Sequence, residues 1–164
     1  MYISTKTYDF NEGFSVCYRQ HKADRKSGKP KDSKYTSTEI PSCSALHGYA
    51  LKFILTFQCE TLDARRWCVD FGSLGTFKEF LKEHFDHTML VAEDDPHFNT
   101  FENLHNLGLA KMVVVEATGC ESLAKFLYDY LNDVWLVDNY PNAQIICSKV
   151  EVFETPSNSA AFIK

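Results

Sequence analysis

Apolar and polar residues alternate along some stretches of this chain and recur at helical spacing along others. Residues 2 to 18 are rich in Thr, Tyr, Phe and Val, with Ile3, Thr5 and Thr7 followed by Phe10, Phe14 and Val16, which predicts one long strand. Gly13 within it predicts a bulge or a close backbone approach. Leu51, Phe53, Leu55 and Phe57 share one face of a second strand at about 46 to 60. Leu74, Phe77, Leu81 and Phe85 are spaced 3, 4 and 4 and predict an amphipathic helix, with Ser73 placed to cap it. A less regular stretch from 92 to 110 opens on Asp94-Asp95-Pro96 and has room for a short helix at 98 to 107. Lys111 to Glu116 reads as a short apolar strand. Cys120, Leu123, Ala124, Leu127 and Leu131 then recur at helical spacing as far as Asp133. Two strand-like runs, about 144 to 153 and 159 to 163, flank Thr155-Pro156-Ser157-Asn158. The main order of elements, ββααββ, predicts an α+β domain: a four-stranded antiparallel sheet with two helices on one face. Such a sheet has two open edges, and closing several copies into a barrel would pair them, so a homo-oligomer is expected.

Composition narrows the class. The 164 residues are 45% hydrophobic and 24% charged, which fits one folded domain over 1–164 and excludes a disordered chain. No apolar run is long enough for a transmembrane helix, and Met1-Tyr2-Ile3-Ser4-Thr5 does not open a secretory signal, so a soluble cytoplasmic protein is expected. The six cysteines include no Cys-x-x-Cys pair and read as free thiols, mostly small buried groups. The net charge of −5 conceals an asymmetry. Between Arg19 and Lys34 seven basic residues face Asp24 and Asp32, leaving a −10 remainder that argues against nucleic acid as a partner. The basic loop or insertion, about 19 to 41, suits either a phosphorylated small molecule or plain solvation.

Cys43-Ser44-Ala45-Leu46-His47-Gly48-Tyr49 places a thiol and an imidazole four positions apart beside a glycine, as an active-site rim would, or as a buried thiol and a hydrogen-bonded histidine would. Asp86-His87 follows the first helix. It reads either as an acid–base relay or as a helix C-terminus whose histidine answers the dipole. Glu121 opens the second helix and Glu154 ends a strand, where a carboxylate can grip an amidine-like N–C–NH2 edge through paired hydrogen bonds.

In this order, these segments resemble the 6-pyruvoyl-tetrahydropterin and 6-carboxytetrahydropterin synthase family of tunnelling folds. The resemblance covers nearly the whole chain through Phe14 to Arg19, Cys43-x3-His47-Gly48-Tyr49, Trp67 to Phe71, Phe85 to Leu90, Glu121 to Ala124 and Phe153-Glu154-Thr155. It implies a lyase acting on 7,8-dihydroneopterin triphosphate or a close relative, with elimination or cleavage of the pterin side chain. Cys43, Asp86 and His87 would be the proton-transfer triad, and Glu154, with Glu121, Tyr18 and Tyr49, would bind substrate at subunit interfaces of a homohexamer. The family's zinc is held by three histidines; the matching positions here are Tyr18, His47 and Tyr49. One imidazole and two neutral phenols do not make a tetrahedral zinc site. His21, three residues beyond Tyr18, is the nearby imidazole that would have to substitute. Gly119 stands where the family more often has Thr. Three readings follow: a lyase, metal-free with phenols in place of the metal or with a rebuilt site; a non-catalytic pterin or purine binder; or a structural or interaction protein on the same scaffold, which no feature of the sequence recommends. Tetrahydrobiopterin, queuosine-type and folate-salvage products remain open between them.

Overall fold

The computed structural model describes residues 1–26, 43–141 and 144–164, with the backbone alone at 24–26. The expected first strand is two strands, β1 (Tyr2–Tyr8) and β2 (Ser15–Tyr18), separated by a single 3-10 turn at Phe10–Glu12. Asp9 causes the break. Its carboxylate accepts from Phe10 N at 2.8 Å, Glu12 returns the contact to Asp9 N, and Gly13 closes the turn at φ +92°, where a side chain would be strained. The inward positions keep one parity across the interruption, Tyr8 before it and Phe14, Val16 and Tyr18 after it. Tyr8, not the Ile3-Thr5-Thr7 face, points into the core, and Ile3 is exposed.

The second strand divides at Leu51 into β3 (His47–Ala50) and β4 (Lys52–Cys59). The expected inward set holds: Leu51, Phe53, Leu55 and Phe57 are all fully buried. Helix α1 (Gly75–Phe85) buries Phe77, Leu81 and Phe85 as its spacing requires. Ser73 does not cap it; its hydroxyl donates to Asp70 O and meets Tyr140 Oη, both at 2.7 Å, and Leu74 holds the N-cap position. Strand β5 (Thr88–Ala92), absent from the sequence reading, follows at once. All five of its residues are buried, so it carries no alternation to reveal it. Helix α2 (Phe98–Asn106) and strand β6 (Met112–Val115) lie close to their expected bounds. Helix α3 (Cys120–Tyr130) runs on through a π turn at Leu131–Trp135 into α4 (Leu136–Asn139), beyond the expected end at Asp133. Strands β7 (Ile145–Thr155) and β8 (Asn158–Ile163) complete the chain.

The described strands form two sheets. One is the expected four-stranded antiparallel sheet, in the order β1-β4-β7-β8. The other, β3-β2-β5-β6, is mixed: β2 runs antiparallel to β3 and parallel to β5, which is parallel to β6. The short β1 to β2 and β3 to β4 passages, the second a single residue, Leu51, carry the chain from one sheet to the other. Helices α1 and α3 cover the antiparallel sheet around an aromatic core in which Phe53 lies 5.3 Å, ring to ring, from both Phe14 and Phe85. No helix of the described residues is long and apolar enough to cross a membrane.

Candidate functional site

The crossover between the sheets gathers the residues singled out by sequence. On adjacent strands, Tyr18 pairs with His47 and Val16 with Tyr49. Two-residue periodicity sends the side chains of Tyr18, His47 and Tyr49 to one face, with ring centroids 4.8 to 6.2 Å apart. Glu154, near the end of β7, reaches this group: Tyr18 Oη donates to Glu154 Oε2 at 3.2 Å, and its charge acts on the neighbouring Tyr49 phenol. Cys120, the first residue of α3, lies beside the same carboxylate in one cleft. Burial, followed by the charges of Glu154 and Glu121, pushes the Cys120 thiol up to about 12, so it is an uncharged donor and no nucleophile.

His47 has both ring nitrogens engaged. Nδ1 lies 2.6 Å from Ala45 O and Nε2 lies 2.5 Å from Tyr49 Oη. A carbonyl only accepts, so Nδ1 carries the proton and donates. Nε2 then accepts the Tyr49 proton. This donor set does not fit a three-ligand zinc centre, because the one imidazole is occupied by Tyr49, and the other phenol, Tyr18, is committed to Glu154. Among the described residues no group of three or more His, Cys, Asp or Glu side chains is arranged to hold a metal. His21 does not fill the gap. Its ring faces Asp94 at 3.4 Å and Asp95 at 3.7 Å.

Burial, and after it the nearby Cys120 and Glu154, raises the Tyr18 phenol far above its ordinary range. A raised folded value means that the folded state keeps its proton where the unfolded chain loses it. The resulting contribution to stability is full below about pH 10 and declines as pH climbs above that. Ultraviolet titration of phenolate up to pH ~11 is therefore expected to count the same number of ionising tyrosines in Tyr18→Phe as in the parent; one fewer in the variant would show that Tyr18 titrates normally.

The proposed triad is divided within one protomer. Asp86 and His87 are together, with Asp86 Oδ1 2.5 Å from His87 Nδ1, and His87 is exposed at φ +55°, a left-handed conformation uncommon for a residue with a Cβ. They lie just before Thr88, which is level with Val16. Cys43 is exposed at the other end of β2, where its carbonyl accepts from Gln20 N at 2.7 Å. The separation along the strand is on the order of 15 Å.

Two features at the Cys43 end escaped the sequence reading. Asp95 holds Arg19 through two contacts, Nε to Oδ2 at 2.9 Å and Nη2 to Oδ1 at 3.4 Å, while Arg19 Nη1 donates to Ser44 O at 3.1 Å. Lys22 pairs with Asp94 at 2.5 Å. The start of the basic segment is thus neutralised by Asp94 and Asp95; Lys29, Lys31 and Lys34, and the side chains of Arg25 and Lys26, lie outside the described residues. The second feature is Gln20. Gly119 has φ +111°, and a Cβ there would come within 2.7 Å of Gln20 Nε2 and 3.6 Å of Glu121 Oε2. The missing side chain lets Gln20 lie against the start of α3. Gln20, Cys120, Glu121, Glu154 and Ser157 to Ala160 line an open polar cleft of ≈ 460 Å³. The sequence signal for it was the conjunction of Gly119 with Glu121, which resemblance marked only as a departure.

The sequence pattern of the family described as 6-pyruvoyl tetrahydropterin synthase matches residues 9–164. Over 160 residues, covering 96% of this chain and 95% of the relative, the chain is 25% identical to 6-carboxy-5,6,7,8-tetrahydropterin synthase of Aquifex aeolicus (strain VF5). Among solved structures, an uncharacterised protein of Wolinella succinogenes is similar at TM-score 0.74 and 25% identity, with 99% of this chain and 97% of that one covered. The 6-pyruvoyl tetrahydropterin synthase of Caenorhabditis elegans shares the fold at TM-score 0.58 and 19% identity, over 100% and 97% of the two chains. A match through both sheets and every segment of the cleft places this chain in the 6-pyruvoyl tetrahydropterin synthase family.

Proposed function

We propose that this protein is a pterin lyase acting on 7,8-dihydroneopterin triphosphate or a close relative. The observation that carries the reading is Glu154, a carboxylate at a strand end that accepts from Tyr18 and lines a polar cleft with Glu121 and Cys120. The cleft volume is in the range that encloses a small heterocycle. A flat ring presenting adjacent N–H donors satisfies Glu154 through two parallel charge-assisted hydrogen bonds. Cys43 takes a proton from the side-chain carbon next to the ring, His87, oriented by Asp86, returns one, and triphosphate leaves with the C–O bonding pair. In the cleavage branch the proton taken is a side-chain hydroxyl's, the carbon fragment leaves as an aldehyde and the C–C pair stays on the ring side, where it is protonated.

The division of Cys43 from Asp86 and His87 supports a site shared between protomers. The unpaired outer edges of β1 and β8 support closure of several copies into a barrel, as in the expected homohexamer, since each edge exposes a row of backbone donors and acceptors. Exposed Ile3 and Ile163 lie on those edges.

The test is incubation of the purified protein with 7,8-dihydroneopterin triphosphate, following release of triphosphate and the change in the pterin spectrum. Turnover that is lost in Cys43→Ala while pterin binding persists is the expected result. Binding without turnover by the parent protein would instead make it the non-catalytic binder. Absence of binding by any pterin or guanine would overturn the role of Glu154.

A further inference from the structure

We propose that the place implied for a zinc ion is closed in this protein by two hydrogen-bonded pairs, His47 with Tyr49 and Tyr18 with Glu154, and that the Tyr49 phenol, without a metal, holds the ligand's side-chain oxygen. Each link has a distinct role. Ala45 O fixes the imidazole by accepting from Nδ1 at 2.6 Å, which leaves Nε2 as the atom that faces the site. Tyr49 Oη takes that atom at 2.5 Å, in the direction a metal would have to occupy. A metal at His47 would displace this phenol, and a phenol is no replacement for the imidazole that such a centre needs. Tyr18, fully buried, has its hydroxyl on Glu154 and cannot turn toward an ion without leaving that carboxylate with one donor fewer.

The same arrangement provides an exchange on binding. Glu154 accepts from Tyr18 in the free protein and keeps acceptor sites for the two N–H groups of a heterocycle. The half-buried Tyr49 then turns its hydroxyl proton from His47 Nε2 to an oxygen of the ligand's side chain. The buried Tyr18 stays as the lateral support of Glu154. One neutral donor thereby stands where the family resemblance implies a cation.

The inference shares the placement of the pterin with the preceding section, but its first test needs no turnover. The parent protein, produced in zinc-supplemented medium and dialysed, is expected to carry well under about 0.1 zinc per chain by elemental analysis, whereas Tyr18→His/Tyr49→His is expected to carry about one. A parent protein holding about one zinc per chain that is lost in His47→Ala overturns the proposal. A folded double variant that takes up no zinc overturns the placement of the phenols at the ligand positions. The second test compares Tyr49→Phe with the parent by fluorescence titration with neopterin, which has side-chain hydroxyls, and with 6-methylpterin, which has none. About tenfold weaker binding of neopterin alone is expected, the equivalent of one hydrogen bond. Equal changes for both ligands, or none, overturn the role of Tyr49. Failure of the parent to bind either pterin would refute the lyase reading and this role together, while the zinc measurement would still decide the metal question.

Discussion

Cys43→Ala and His87→Ala protomers, each expected to lose about 10²- to 10⁴-fold in turnover alone, are expected to regain activity when unfolded, mixed and refolded together. The reasoning starts from β2. Its parallel register with β5 puts Asp86 and His87 at the Ser15 end, and the Gln20 contact puts Cys43 at the opposite end. Side chains of Cys, Asp and His reach only a few ångströms, so one protomer cannot bring a thiol and an imidazole at such a separation to the same carbon atom. If a neighbouring copy supplies the missing half, random assembly from equal amounts of the two variants leaves about a quarter of sites with an intact thiol and an intact imidazole. Recovery near that fraction, measured as triphosphate release per site, is the expected result. No recovery from a properly assembled mixture would show that the three residues do not act across an interface.

Asp95→Ala is expected to cost about 3–5 kcal/mol of folding stability, a large part of the total for a domain of this size. Asp95 is 2% exposed in its side chain and Arg19 18%, so removing the carboxylate leaves a guanidinium with little water and, among the described residues, Ser44 O as its hydrogen-bond partner. The carboxylate also accepts from His97 N at 2.8 Å, which ties the loop before α2 to the same point. The loss arises from an uncompensated buried charge rather than from the intrinsic strength of the pair, so replacing both partners, as Arg19→Met/Asp95→Leu, is expected to recover most of it. Urea denaturation monitored by tryptophan fluorescence measures both. A single variant within about 1 kcal/mol of the parent would show that the pair is solvated and contributes as an exposed one does. Because Arg19 also holds Ser44, the neighbour of Cys43, the same substitution ties the stability of the fold to the position of the thiol.

The two strongest elements of the sequence, the alternation from Leu51 to Phe57 and the helical spacing from Leu74 to Phe85, were legible because each residue's burial follows from its own local geometry. Strand β5 was not. With both faces covered it shows neither period, and its neighbours β2 and β6 lie some seventy and twenty residues away in the chain. The broken first strand was half legible. Gly13 marked the break, but the capping exchange between Asp9 and Glu12 that makes it depends on the turn being formed, and the choice of Tyr8 over Ile3 as the inward face of β1 is made by its packing on the core.

The candidate site divides along the same line. Cys43, His47, Asp86, His87, Glu121 and Glu154 stood out as residue types capable of acid–base or ligand chemistry, and the tyrosines at 18 and 49 stood out against a family pattern. By itself the sequence determined the inventory of chemical groups, the fold class and the two-residue and 3.6-residue phases that choose which side chains turn inward. Only the tertiary structure decided that Tyr18 and Tyr49 converge on Glu154, that both nitrogens of His47 are occupied, that Asp94 and Asp95 absorb the first basic residues, and that Cys43 stands apart from Asp86 and His87. Periodicity is a property of neighbours along the chain, whereas Tyr18 meets Glu154 across 136 positions and Arg19 meets Asp95 across 76, and no local pattern encodes those distances.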